Sequence, residues 1–231
     1  MPVILNIDFD VFYNTDQDTT LSPNKILVVC PHTILTSLRI AEHTVPFLCL
    51  DHHEALAEWD RRELRHAVCI HMDAHHDLHT DFNRSWEVPF ATRGRHIGAG
   101  DYLFHALREG MIDSLIWVAP SWVQPAHAAQ DIRKRLGPTL SSRITIVTLQ
   151  SFHWDLPAAT MVSIAFSPEW TPRRDLLIAE DFARKLNGAP RDIQQWTTSA
   201  ENRYDTLTDP QVQPLDLRFR FPTASVERRD V

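Results

Sequence analysis

Of the thirteen histidines in the chain, six (His52, His53, His71, His75, His76 and His79) fall between positions 52 and 79. Four of them, His71, His75, His76 and His79, lie with Asp73 and Asp77 between positions 71 and 79. Imidazole and carboxylate together are ligands for divalent cations, and imidazole also exchanges protons near neutral pH. The segment Ile70-His71-Met72-Asp73-Ala74-His75-His76-Asp77 begins as an apolar run and ends in polar residues. Asp73, His75 and Asp77 are spaced two apart, and in an extended chain that spacing turns all three side chains to one side. The plain alternative is a solvated loop rich in His and Asp.

Two further elements carry ligand types. Asp8 and Asp10 sit in Ile4-Leu5-Asn6-Ile7-Asp8-Phe9-Asp10-Val11-Phe12. Two buried carboxylates on one face are costly unless a cation compensates them. If the strand ends near Ile7, both are instead solvated. Asp51-His52-His53-Glu54 follows another apolar run, where Asp51 and Glu54 also read as the capping box of a helix start. A capped helix can still hold His52 at its strand-proximal end. Four carboxylates (Asp8, Asp10, Asp73, Asp77) and two imidazoles (His52, His75) then match two divalent cations with a bridging hydroxide. Oxygen-rich, sulfur-free ligation favours manganese over structural zinc.

The elements that must position these residues are short apolar runs separated by helix-like segments. The strand expectations are Val3 to Phe9, Ile26 to Cys30, Pro46 to Leu50, Ala67 to Asp73, Ser114 to Ala119, Arg143 to Leu149 and Met161 to Ser167. Most are continuous runs and not alternating ones, as in a parallel sheet covered on both faces. Helices are expected over His53 to Arg65, Tyr102 to Glu109, Ala126 to Arg135 and Leu176 to Leu186. The alternation predicts a three-layer α/β/α sandwich with a mostly parallel sheet, whose strand ends are where such folds place their sites. One domain over residues 1–231 is expected, with a less regular segment over about 188–231, punctuated by Pro190, Pro210, Pro214 and Pro222.

Composition narrows the function. The 231 residues are 43% hydrophobic and 23% charged, enough for one substantial core. A net charge of -7 argues against a polyanion-binding surface, so no nucleic-acid partner is expected. An acidic field attracts cationic substrates instead. No apolar stretch has membrane-span length and no signal-peptide pattern opens the chain, so a cytoplasmic protein is expected. Cys30, Cys49 and Cys69 lie in apolar runs without paired spacing and read as buried free thiols.

Asp-Ala-His-x-Asp at Asp73 to Asp77 resembles the metal signature of the ureohydrolases, the superfamily of arginases and agmatinases related to the deacetylases. Asp8-Phe9-Asp10 resembles that family's Asp-x-Asp signature, and Asp51-His52 its Gly-Asp-His element. The resemblance implies that Asp73 and Asp8 bridge two Mn²⁺ ions. It further implies that His52 and Asp77 complete one ion and His75 and Asp10 the other. Asp77 would hold the bridging hydroxide and pass its proton to the departing amine. In arginases the Asp-x-Asp strand follows the Asp-Ala-His-x-Asp strand; here it precedes it, which implies an arginase-like sheet of permuted strand order.

The blocks Asp-His-His-Glu-Ala-Leu, His-Met-Asp-Ala-His-His-Asp-Leu and Ala-Phe-Ser-Pro-Glu-Trp are similar to the branch that contains peptide arginases. Those enzymes convert arginine side chains of ribosomal precursor peptides to ornithine, releasing urea. The likeness covers roughly residues 1–180 in scattered blocks. It implies that Glu169 grips the guanidinium and that His96 shuttles protons. His79 stands where the free-amino-acid enzymes carry an asparagine that helps bind the substrate carboxylate. That difference and the short chain favour an arginine-containing peptide as partner, and homo-oligomerisation stays open. His71 reads as a satisfied core residue. The alternatives are a small-molecule ureohydrolase acting on free arginine, agmatine or another guanidino compound, and a non-catalytic metal-dependent peptide-binding protein.

Overall fold

The computed structural model describes residues 1–13, 26–80, 97–168 and 170–208. Its centre is one six-stranded sheet in which every pairing is parallel. In chain order the strands are β1 (Val3–Asp8), β2 (Phe47–Cys49), β3 (Ala67–Met72), β4 (Ile112–Ala119), β5 (Ile144–Thr148) and β6 (Met161–Ala165). Across the sheet they lie β2-β6-β1-β3-β4-β5. β1 is therefore interior, with β3, β4 and β5 stepping away on one side and the late strand β6 on the other.

Burial explains the uninterrupted apolar runs. All six residues of β1 and of β3 are buried, because helices cover both faces. On one face Val3, Leu5, Ile7, Ile70 and Met72 pack with Phe182 of α5 (Leu176–Lys185) and with Trp196 and Tyr204 of α6 (Pro190–Thr208). The short helix α1 (Pro31–Leu35) adds Ile34 there. On the other face Ile4, Cys69 and Met161 meet Leu56 and Trp59 of α2 (Glu54–Arg61), with Leu103 and Ala106 of α3 (Tyr102–Arg108). Ile132 of α4 (Pro125–Ser141), a helix broken at Gly137 where φ is +75°, joins the same layer. Pleating sends Asn6 and Asp8 of β1 to the α2/α3 face together with Ile4. His71 follows Cys69 to that face in β3.

Three expectations are corrected. Residues 26–30 form no strand: the stretch contributes only one antiparallel bridge, Leu27 to Tyr13. Ile26 is 58% and Val28 50% exposed, so the apolar run lacks the second layer that makes a buried strand stable. The less regular segment expected from about residue 188 begins instead with the 19-residue helix α6. Its apolar stripe, Ile193, Trp196, Ala200 and Tyr204, has helical spacing and is buried along its length. Pro190, read as a breaker, stands at the first helical position, where its missing N–H costs nothing. Finally, Cys30 is exposed, whereas Cys49 and Cys69 are buried and burial raises both thiol pKa values.

Candidate metal centre

Four loops leave the carboxyl ends of β1, β2, β3 and β6 and meet over the α2/α3 face. Asp8 closes β1 and accepts a hydrogen bond from the Asp10 N–H at 3.3 Å, capping a 3₁₀ turn over Phe9–Phe12. That turn aims Asp10 at the neighbouring loop, where its Oδ1 accepts from the Ala74 N–H at 3.1 Å. After β3, Asp73 accepts from the His75 N–H at 2.6 Å, and the Trp117 indole donates to the Asp73 carbonyl at 2.9 Å. The chain does not continue extended as the spacing suggests. Asp77 is reached through a turn and has φ of +50°. After β2, the Glu54 carboxylate accepts from the Asp51 N–H at 3.1 Å, the reciprocal half of a capping box, and holds the turn that carries His52.

Six expected residues come together in this way. His52 Nδ1 is in very close contact with Asp8 Oδ2 and lies 3.2 Å from Asp73 Oδ2. His75 Nδ1 lies 3.2 Å from Asp10 Oδ2 and 3.5 Å from Asp73 Oδ1. Asp77 Oδ2 stands 2.9 Å from His52 Nε2, the outer nitrogen. The ligand atoms fall into three groups tight enough to hold a cation: Asp8, His52 and Asp73; Asp10, Asp73 and His75; His71, Asp73 and Asp77. Asp73 belongs to all three. Its two oxygens face different imidazoles, the arrangement a carboxylate needs to serve two ions at once.

Electrostatics favour a bound cation. Burial and then Asp10 raise the Asp8 carboxyl pKa, against the pull of His52 and Ser167. Burial, Asp77 and Asp10 raise that of Asp73 well above the usual range. Burial works against the His52 imidazolium, yet Asp77, Asp73 and Asp8 hold its pKa well above the ordinary value. For His75 the opposing burial is outweighed by hydrogen bonds to Asp10 and Asp73. Asp73 Oδ2 and Asp77 Oδ2 are buried and accept no well-aligned hydrogen bond among the described residues. Orphaned anionic oxygens beside neutralisable imidazoles are the donor set of a hard or borderline divalent ion, with no thiolate among the groups. The residues therefore fit the expected metals, without fixing their identity or number.

Among the described residues of the cluster, His75 is the most exposed. Asp8, Asp73 and His52 are buried, while the His75 side chain is 27% exposed and lies 5.0 Å from the Trp170 ring. The His76 and His79 rings lie 4.8 Å apart, with His76 5.6 Å from the Trp117 ring and the Arg135 guanidinium 3.4 Å from His79 Nδ1. Burial, and then His79, pushes the His76 pKa down to about 3; burial and His52 push that of His53 down to about 4. Neither imidazole adds positive charge near neutral pH. His79 is not among the clustered ligands. Glu169 and His96 lie outside the described residues.

Comparison with protein-family models, curated proteins and solved structures found no match. The site therefore stands on its own geometry.

Sequence reasoning missed three contributors. His71, read as core, is fully buried and also reaches the cluster, with Nε2 3.3 Å from both Asp73 Oδ2 and Asp77 Oδ2. Ser167, after β6, has φ of +47° and donates to Asp8 Oδ2 at 2.6 Å. Tyr102 stacks on His52 with ring centroids 5.0 Å apart. A polar residue two positions before an aspartate in an otherwise apolar strand is the signal that could have found His71. Nothing local marks Ser167 or Tyr102.

Proposed function

We propose that the chain is a dinuclear metal hydrolase of ureohydrolase type, acting on arginine side chains of a peptide to give ornithine and urea. The observation that carries this reading is Asp73, shared between the Asp8–His52 pair and the Asp10–His75 pair at the carboxyl ends of β1 and β3. Asp8 and Asp73 would be common to two ions, with His52 and Asp77 on one and His75 and Asp10 on the other. When bound, two manganese ions would lower the pKa of a water shared between them and supply hydroxide near neutral pH.

The residues of this chain contribute the rest. Ser167 and the Ala74 N–H hold Asp8 and Asp10 in place. On the family resemblance, Asp77 would take a proton from the nucleophile and return it to the departing amine. The four aspartates of the cluster would draw a cationic guanidinium toward it, against the charge of Arg135 beside His79. On the family resemblance, Glu169 would orient that guanidinium through paired charge-assisted bonds.

The test is urea release with Mn²⁺ present, comparing arginine-containing peptides, free arginine and agmatine. The expected result is urea from peptides alone, with a mass loss of about 42 Da per site as a guanidino group becomes an amine. Urea from the free compounds would make the enzyme a small-molecule ureohydrolase. Absence of urea from all three, with metal bound, would contradict the proposal.

A further inference from the structure

Beneath the metal-ligand loops runs a buried polar layer that the proposed chemistry does not use. Asn6 and His71 are direct register partners on β1 and β3, each two residues before a cluster aspartate. Both are fully buried, as is Tyr102. We propose that His71 serves the metal centre as a hydrogen-bond donor of fixed tautomer, set by Asn6 and Tyr102, and is not itself a ligand. This rests on the metal-centre reading above and divides the three acid–imidazole groups into two that hold cations and one that braces them.

The proton positions follow from what each ring nitrogen faces. His71 Nε2 lies 3.1 Å from the His75 carbonyl oxygen and 3.3 Å from each of Asp73 Oδ2 and Asp77 Oδ2. A carbonyl only accepts, so Nε2 carries the hydrogen; a lone pair there would face three oxygen lone pairs. Nδ1 is then the acceptor, and its neighbours suit it. The Asn6 amide nitrogen donates to it at 3.1 Å and the Tyr102 hydroxyl lies 3.4 Å away. The same amide nitrogen donates to the Tyr102 oxygen at 2.6 Å, and the phenolic hydrogen can at most share the single Nδ1 lone pair with the shorter Asn6 bond. Burial, with Asp77 and Asp73 next, holds the Tyr102 pKa well above its usual value, so that hydrogen is retained.

This direction of the amide carries one cost. Asn6 Oδ1 is buried and accepts no hydrogen bond among the described residues. Turning the amide over would set that oxygen against the Nδ1 lone pair, so the orphan is the lesser penalty. With the amide fixed, the His71 N–H edge is fixed too. It ties the His75 carbonyl in place and faces the two carboxylate oxygens that lack a well-aligned donor. Outer groups of this kind commonly carry 10–100-fold in metal affinity.

The experiment titrates the full chain with ¹¹³Cd²⁺, a diamagnetic probe, and reads imidazole ¹⁵N shifts and ¹¹³Cd–¹⁵N couplings. Couplings are expected on His52 and His75, with His71 uncoupled and in its Nε2–H tautomer before and after loading. In calorimetry, His71→Leu should weaken Cd²⁺ binding by roughly 10–100-fold. His71→Gln, whose side-chain amide can place an N–H near the Nε2 position, should recover much of that loss. A coupling to His71, or an Nδ1–H tautomer, would overturn the proposal while leaving the metal centre standing. Unchanged affinity in a folded His71→Leu protein would also overturn it. Couplings on no histidine would instead overturn the metal-centre reading on which it rests. The native-chain spectra decide the matter even if the variants fail to fold.

Discussion

At the scale of single residues, carboxylates in the cluster are held by donors from other elements. Asp8 shows this most clearly: Ser167, from the loop after β6, donates to the same oxygen that His52 meets. Removing that hydroxyl in Ser167→Ala leaves the turn intact and frees one carboxylate lone pair. The variant should lose about 0.5–1.5 kcal/mol of stability and bind divalent metal more weakly, measured by denaturant titration and calorimetry. The ligand types themselves are legible in the sequence, because Asp8, Asp10, His52, Asp73, His75 and Asp77 are chemically distinct from the apolar runs around them. Their helpers are not. Ser167 and Tyr102 owe their roles to chain segments separated from Asp8 and His52 by tens of residues, and no spacing rule reports such contacts.

At the scale of elements, two helices hold the site from opposite sides of the sheet. Trp196 of α6 donates from its indole to the Cys49 carbonyl at 2.7 Å and packs edge-on against Phe166, 5.8 Å between centroids. It thereby pins the ends of β2 and β6, which carry His52 and Ser167. Trp196→Ala should cost about 3–5 kcal/mol in chemical denaturation and loosen metal binding without touching a ligand. On the other face, Glu58 of α2 accepts from Arg61 at 2.6 Å and 2.7 Å and from Arg62 at 2.6 Å. The Arg61 bond, opposed by burial and helped by Arg62, holds the Glu58 pKa below its ordinary 4.5. A carboxyl depressed in the folded state contributes stability above the unfolded value and loses it as pH falls through the folded one. The stability difference between wild type and Glu58→Gln should therefore be full at pH 7 and shrink progressively as pH falls below the ordinary 4.5; a gap that does not change in acid would refute it. Elements are legible where burial matches pattern, as in β1 and β3. They are not where an apolar run lacks a covering layer, at residues 26–30, or where prolines and polar residues mask the apolar stripe of α6.

At the scale of the whole molecule, the sheet order explains why distant motifs meet. Asp8 begins the chain's site, His52 and Asp73 follow, and β6 returns to insert between β1 and β2. The Asp-x-Asp strand can therefore precede the Asp-Ala-His-x-Asp strand and still lie beside it, because adjacency in the sheet sets the geometry. Among the described residues no helix is long and apolar enough to cross a membrane. The cluster gathers four aspartates around the imidazoles of His52, His71 and His75, and bound cations would balance the remaining charge. Chelation should accordingly lower the melting temperature, and metal should restore it, by the linkage of binding to folding. The most direct test is the metal content of the purified chain after loading with Mn²⁺ and desalting, beside Asp73→Asn. The shared carboxylate predicts two ions per chain in the wild type and loss of both from the variant. A wild type that retains no more than one ion, or an Asp73→Asn chain that keeps two, would contradict the account.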